Sequence, residues 1–156
     1  MRSSVSVQED DFDLSAEVRA LTAGEFSAGA VASFVGLVRD NNDGTGVADM
    51  TLEHYPGMTE KALQEIVTKA GERWALLGVR VIHRVGHLMP GDQIVLVVVS
   101  SPHRGNAFAA CEFIMDYLKT QAPFWKKEST AEGSRWVDAR VSDDDALEKW
   151  KDEIGL

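Results

Sequence analysis

The chain has a single cysteine, Cys111, among its 156 residues. One thiol cannot close an intramolecular disulfide, and it excludes a zinc site built on paired cysteines. Cys111 lies among Ala107, Ala110, Ile114 and Leu118 at helical spacing, which suits a buried structural thiol better than a nucleophile. Long apolar runs are also missing. Residues 1–10 hold no stretch long enough for a signal peptide, and no later run approaches a membrane span, so a cytoplasmic protein is expected. No two histidines stand at metal spacing within a helical pattern, since His83 and His87, four apart, fall in a strand pattern, and no metal is expected. Gly44, Gly46, Gly86 and Gly91 fall in turns. No phosphate-loop or dinucleotide fingerprint occurs, and no elbow-type nucleophilic serine. Without repeats, low-complexity tracts or linkers, residues 1–156 read as one domain, long enough to bury a core unaided by disulfides or metal.

The net charge of -9 argues against general nucleic-acid binding, but its distribution matters more than its sum. Residues 1–25 and residues 143–156 each carry six acids and two bases. The middle of the chain is close to neutral, so a locally positive pocket for an anionic ligand is compatible with an acidic protein. The acidic ends, 1–25 and 141–156, read as solvated or partly ordered segments, with Leu147 and Trp150 offering the second one a docking face.

Strand and helix patterns alternate. Residues 29–39 form a small, β-branched strand pattern that leaves Arg39 at its mouth, before a loop rich in Asn, Asp and Gly at 40–46. A second strand is expected over 47–55. Pro56 and Gly57 open a helix running to about residue 77, with Ala62, Ile66, Ala70 and Trp74 as its stripe. Residues 79–88 and 93–100 are two further strands joined by a tight turn, and the second, apolar on both faces, should be central. A second helix spans about 103–120, followed by short strands at 125–129 and 135–139. The sum is an α+β fold with helices covering a largely antiparallel sheet.

The most informative stretch is Lys119-Thr120-Gln121-Ala122-Pro123-Phe124-Trp125-Lys126-Lys127-Glu128. Pro123 lacks a backbone donor and biases Ala122 away from helix, so the helix should stop here and turn into an extended segment, with Lys119 and Lys126 on either side of a rigid corner. A lysine beside bulky apolar groups and a second cation is less favourably charged, which suits proton transfer or amine chemistry. A helix that simply ends in solvated lysines is the alternative, since the dipole favours cations there.

His103 and Arg104 begin the second long helix, where free backbone donors, a guanidinium and an imidazole make a natural anion site; an ordinary exposed helix start is the alternative. Arg39 at the strand mouth adds a further directed donor. His54, His83 and His87 fall in strand patterns, where hydrogen-bonded structural roles are commoner. From His103 to Lys119 the helical rise spans roughly 24 Å, too far for one small ligand. These residues therefore serve two sites, or a symmetric dimer brings the His103 end of one chain to the Lys119 end of the other.

Phe34-Val35-Gly36-Leu37-Val38-Arg39, Leu52-Glu53-His54-Tyr55-Pro56-Gly57-Met58, His83-Arg84-Val85-Gly86, Pro90-Gly91-Asp92, His103-Arg104 and residues 115–128 together resemble the MoaE family, the large catalytic subunits of molybdopterin synthase, over about residues 29–140. The resemblance implies a single α/β hammerhead-like domain. It also implies a sulfurtransferase that converts cyclic pyranopterin monophosphate to molybdopterin. The sulfur would come from a small ubiquitin-like partner ending in a Gly-Gly thiocarboxylate, within a heterotetramer built on a central homodimer. No metal or redox cofactor is implied for this step. On the same basis Lys119 is expected as the acid/base or covalent lysine, and Lys126 as the second lysine at the thiocarboxylate. Arg39, His103 and Arg104 match the substrate phosphate site, with Arg140 as a further basic wall, Leu37 and Val38 along the approach, and Lys127 and Glu128 completing the pocket. Phe34, Met115, Phe124 and Trp125 would supply apolar walls or core. The chief competing reading is a non-catalytic dimeric binding module for a phosphorylated metabolite or a partner's tail.

Overall fold

The computed structural model describes residues 1–42, 45–46, 48–131, 133–137, 146–148 and 150. In chain order these form β1 (Arg2–Gln8), α1 (Leu14–Thr22), β2 (Ala30–Leu37), β3 (Asn41–Asn42), β4 (Thr45–Gly46), β5 (Asp49–His54) and α2 (Met58–Arg73). There follow β6 (Gly78–Arg84), β7 (Gly86–Leu88), β8 (Gln93–Ser101), α3 (Arg104–Gln121), β9 (Phe124–Thr130) and β10 (Gly133–Val137). One sheet has the order β1-β6-β8-β2 and another the order β10-β9-β5-β7, with β3 and β4 as a small separate hairpin. Every pairing is antiparallel except that of β1 with β6. The architecture is α+β, as the sequence pattern predicts.

β8 lies inside the first sheet and is buried along Val95 to Ser101, because both faces are covered. Val79, Val81, Val95, Val97 and Val99 face α2 and α3, where they meet Leu63, Ile66, Val67, Phe113 and Ile114. Ile82, Leu96 and Val98 face α1, through Phe12 and Leu21. Each such side chain, fully removed from water, contributes about 1.5–3 kcal/mol before entropy is set against it.

The acidic start is ordered, although of residues 1–25 only Phe12 and Leu21 are buried. β1 pairs along its whole length with β6, from Arg2 opposite Gly78 to Gln8 opposite Arg84. Asp13 caps α1 by accepting from the Ala16 amide at 3.0 Å, and Arg2 Nη1 donates to the Leu21 and Ala23 carbonyls at the helix's other end. Near the far terminus, Leu147 and Trp150 are buried. The Trp150 indole donates to Asp116 Oδ2 at 2.6 Å and meets Trp74 and Phe113 edge-on.

Two boundaries differ from the sequence pattern. α2 stops at Arg73 rather than near residue 77, because Trp74 is extended (φ -130°, ψ 151°) and turns its ring onto Phe113. The expected strand 79–88 is two strands. Gly86, at φ +86°, breaks the run so that β6 stays in the first sheet and β7 crosses to pair with β5 in the second.

Candidate active site

Val38 continues β2 into a fixed corner. Its amide donates to the Asp92 carbonyl at 2.9 Å and its carbonyl accepts from the Gly91 amide at 2.7 Å, tying the strand mouth to the 89–92 turn. Leu37, Val38, Arg39, Asp40, Pro90 and Gly91 line an open groove of about 600 Å³. Val38 is buried against Met50 and Leu88, whereas Leu37 and Arg39 are exposed. A fixed apolar floor thus carries a guanidinium that can reach solvent or ligand.

The helix corner forms where Pro123 predicts it. Lys119 lies in the last turn of α3, Ala122 is extended (φ -76°, ψ 136°), and β9 starts at Phe124. The register of β9 with β5 then sorts the side chains. Phe124, Lys126 and Glu128 stand opposite His54, Leu52 and Met50 and share their face. Glu128 is buried and Lys126 partly buried. Lys127 alternates to the other face, beside Thr51, and is exposed. The structure therefore groups Lys126 and Glu128 and turns the Lys127 side chain away from them.

His83, which its strand pattern marks as structural, belongs to this corner. Its ring is buried and stacks on Phe124, with centroids 4.0 Å apart and 24° between planes. Its Nδ1 lies 2.9 Å from the Arg84 carbonyl. Burial is the main cause holding its pKa down, from 6.5 to about 4, and the positive charges of Lys119 and Lys126 and the nearby His54 push in the same direction. Lys119, Lys126 and His83 thus share one electrostatic environment. No sequence signal pairs β6 with β9; only the fold does.

His103 and Arg104 are exposed at the other end of α3. His103 is the helix N-cap residue without a side-chain cap bond, and its amide donates to Ser101 Oγ at 3.3 Å. Gly29 packs so closely here that a Cβ would lie 2.2 Å from the Pro102 carbonyl oxygen. Along β8, Gln93 is opposite Leu37 and Ser101 is opposite Ala30, so Arg39 and His103 lie at opposite ends of a nine-residue strand, roughly 27 Å long. His83, opposite Val95, shares the Arg39 end. One chain therefore brings Arg39 and the lysine corner to one end of the sheet and leaves His103 and Arg104 at the other.

Of the apolar candidates, Phe34 is partly exposed at the sheet edge, Met115 is in the core, and Trp125 packs on Tyr55 at 4.6 Å. Arg140 lies outside the described residues. Among the described residues no cluster of three or more His, Cys, Asp or Glu suits a metal ion, and no helix is long and apolar enough to cross a membrane. Cys111 is buried and its thiol pKa is raised to about 11, by burial and then by Glu112.

The family model described as MoaE protein matches residues 7–121. The chain belongs to the MoaE family. The match begins within β1, earlier than the motifs alone reach, and ends at Gln121. Curated relatives extend the family likeness across nearly all of the chain: a molybdopterin synthase catalytic subunit of Ralstonia nicotianae is 68% identical over 147 residues, covering 94% of this chain and 84% of its own. A solved MoaE protein from Burkholderia ambifaria superposes with a TM-score of 0.82 at 59% identity, covering 95% of this chain and 97% of its own. A complex of subunits 1 and 2 of molybdopterin-converting factor from Helicobacter pylori shares the fold with a TM-score of 0.70 at 20% identity, covering 87% of this chain and 91% of its own.

Proposed function

We propose that this MoaE-family chain is the catalytic subunit of a molybdopterin synthase, a sulfurtransferase of molybdenum cofactor biosynthesis that converts cyclic pyranopterin monophosphate to molybdopterin. The observation that carries the reading is the lysine corner. Lys119 in the last turn of α3 and Lys126 on the inner face of β9 stand on either side of the Pro123 turn, and both charges act on one buried imidazole at the same end of the sheet as the Arg39 groove. A ubiquitin-like partner would deliver its C-terminal Gly-Gly thiocarboxylate to this end. The Helicobacter pylori structure that shares the fold is itself a complex of two subunits.

The thiocarboxylate sulfur attacks an electrophilic carbon of the substrate, the carbon–oxygen bond there breaks with its oxygen taking up a proton as it leaves, and a thioester between substrate and partner forms. Water then cleaves the acyl–sulfur bond, which frees the partner as a carboxylate and leaves the sulfur on the substrate. A second partner molecule repeats the sequence to complete the dithiolene. Lys119 moves the proton or forms the covalent link, and Lys126 holds the anionic thiocarboxylate. Glu128 orients a lysine through a charge-assisted hydrogen bond. Arg39 holds the phosphate with His103, Arg104 and Arg140, while Leu37 and Val38 complete the approach.

The separation of Arg39 from His103 along β8 favours a site shared across a homodimer, one chain giving Arg39 and the lysines and the other His103 and Arg104. Two partner subunits then make a heterotetramer. A dithiol product needs a compartment that keeps thiols reduced, which fits the cytoplasm.

The deciding experiment is single-turnover conversion of cyclic pyranopterin monophosphate by the full chain with a thiocarboxylated partner, compared with Lys119→Ala. Dithiolene from the wild type and a loss of about 10²–10⁴-fold in the variant, with partner binding kept, supports the reading. Binding of both components without product would instead favour the binding-module reading.

A further inference from the structure

Among the described residues, His83 is the one buried titratable side chain at the lysine corner that the mechanism above leaves without a task. It is the penultimate residue of β6, just before Gly86 carries the chain into the second sheet, and it reaches across that junction to lie flat on Phe124. Phe124 in turn follows Pro123 directly and stands two residues before Lys126, on the same face of β9. One imidazole therefore braces the segment that joins the two lysines.

Its chemistry is also constrained. The Arg84 carbonyl can only accept, so Nδ1 carries the proton and the lone pair resides on Nε2. The charged and titratable groups whose electrostatics act on the ring are Lys119 from α3, His54 from β5 and Lys126 from β9. The His54 ring lies 6.5 Å from Phe124, and its buried Nδ1 lacks a hydrogen-bond partner among the described residues. Beyond these, buried Glu128 shares the inner face of β9. A third positive charge at this position would repel both ammonium groups, whereas a neutral ring with an accepting nitrogen accommodates them.

We propose that His83 is a positioning residue for sulfur transfer: an uncharged Nδ1–H imidazole that fixes the Lys119–Lys126 corner through Phe124 and offers Nε2 as acceptor to its ammonium groups. The inference rests on the lysine corner being the reacting site, but its test does not require turnover.

The test is nuclear magnetic resonance on the full chain carrying labelled histidine and lysine. In the wild type, the His83 imidazole stays neutral and Nδ1-protonated between about pH 5 and about pH 8, the window in which an unperturbed histidine titrates. A protonated ring or the Nε2–H tautomer at neutral pH overturns the proposal, and this measurement needs no variant. In His83→Phe, which keeps an aromatic ring against Phe124 but has no acceptor, the Lys119 or Lys126 ammonium loses stabilisation. Its titration midpoint moves down by about half a unit or more, roughly a threefold rise in acidity. Unchanged lysine midpoints in a folded His83→Phe reduce His83 to a packing residue. A wild type that makes no dithiolene product refutes the sulfur-transfer reading while leaving these resonances as readable as before.

Discussion

The His83 imidazole lies flat against the Phe124 ring, centroids 4.0 Å apart, and so joins the last residues of β6 to the first residue of β9. That contact has a consequence for stability. In the unfolded chain His83 protonates near 6.5, but in the folded protein only near 4, because burial opposes the charge and Lys119, His54 and Lys126 add to the effect. Between those values the unfolded state binds more protons, so stability is full above about pH 6.5 and is lost as pH falls toward 4. The loss is on the order of 3 kcal/mol at its limit. Urea midpoints measured from neutral to acid pH should fall steeply in the wild type and less steeply in His83→Phe. Parallel slopes for the two proteins would contradict a buried neutral His83.

The register of β9 makes a second prediction. Lys126 shares a face with Glu128 and Phe124, and Lys127 points the other way beside Thr51. Lys126→Ala should therefore lower the single-turnover rate by about 10²–10⁴-fold, while Lys127→Ala, on the opposite face of the strand, should lower it by about tenfold or less. Equal effects from the two variants would mean that the corner is read by charge alone and not by strand geometry.

How far this site is legible in the sequence depends on which contacts are local. The lysine corner is, because Pro123 and its neighbours dictate a helix stop and an extended restart within a few residues. The Arg39 mouth is legible for the same reason. His83 is not, because its role arises from β6 meeting β9, and nothing local to residue 83 announces a partner at residue 124. The first 25 residues fail differently. Asp13 as cap and Leu14, Val18 and Leu21 at helical spacing are a sufficient signal for α1, but six acidic side chains suggest a solvated end. The parallel partner of β1, Gly78–Arg84, lies more than seventy residues away. Charge described the surface of that segment correctly and its apolar face decided its place.

A third prediction concerns Gly29. It is tied to the turn before α3 by a 3.0 Å hydrogen bond to the Ser101 carbonyl, and it leaves no room for a Cβ beside the Pro102 carbonyl. Gly29→Ala must push the 101–103 turn away, at a cost of about 1–3 kcal/mol. Because that turn presents His103, affinity for the phosphorylated substrate should fall as well. Gly105, by contrast, has open space around its Cβ position within α3, and Gly105→Ala should be neutral or up to about 1 kcal/mol stabilising. Thermal or denaturant unfolding of the pair, with substrate titration of Gly29→Ala, checks both directions.

The last prediction follows from the length of β8. Arg39 lies beyond Leu37 at one end, and His103 lies beyond Ser101 at the other, so no ligand the size of a pterin phosphate bridges them within one chain. If two chains share each site, Arg39→Ala and His103→Ala homodimers are each defective at both of their sites. A dimer of one chain of each kind has both defects in one site and none in the other. Unfolding and refolding an equal mixture should make half the dimers mixed, and activity should recover to about a quarter of the wild-type level. Sites confined to single chains would remain defective in every combination, so a mixture no more active than its separate components would overturn the shared-site dimer and require Arg39 and His103 to serve separate ligands.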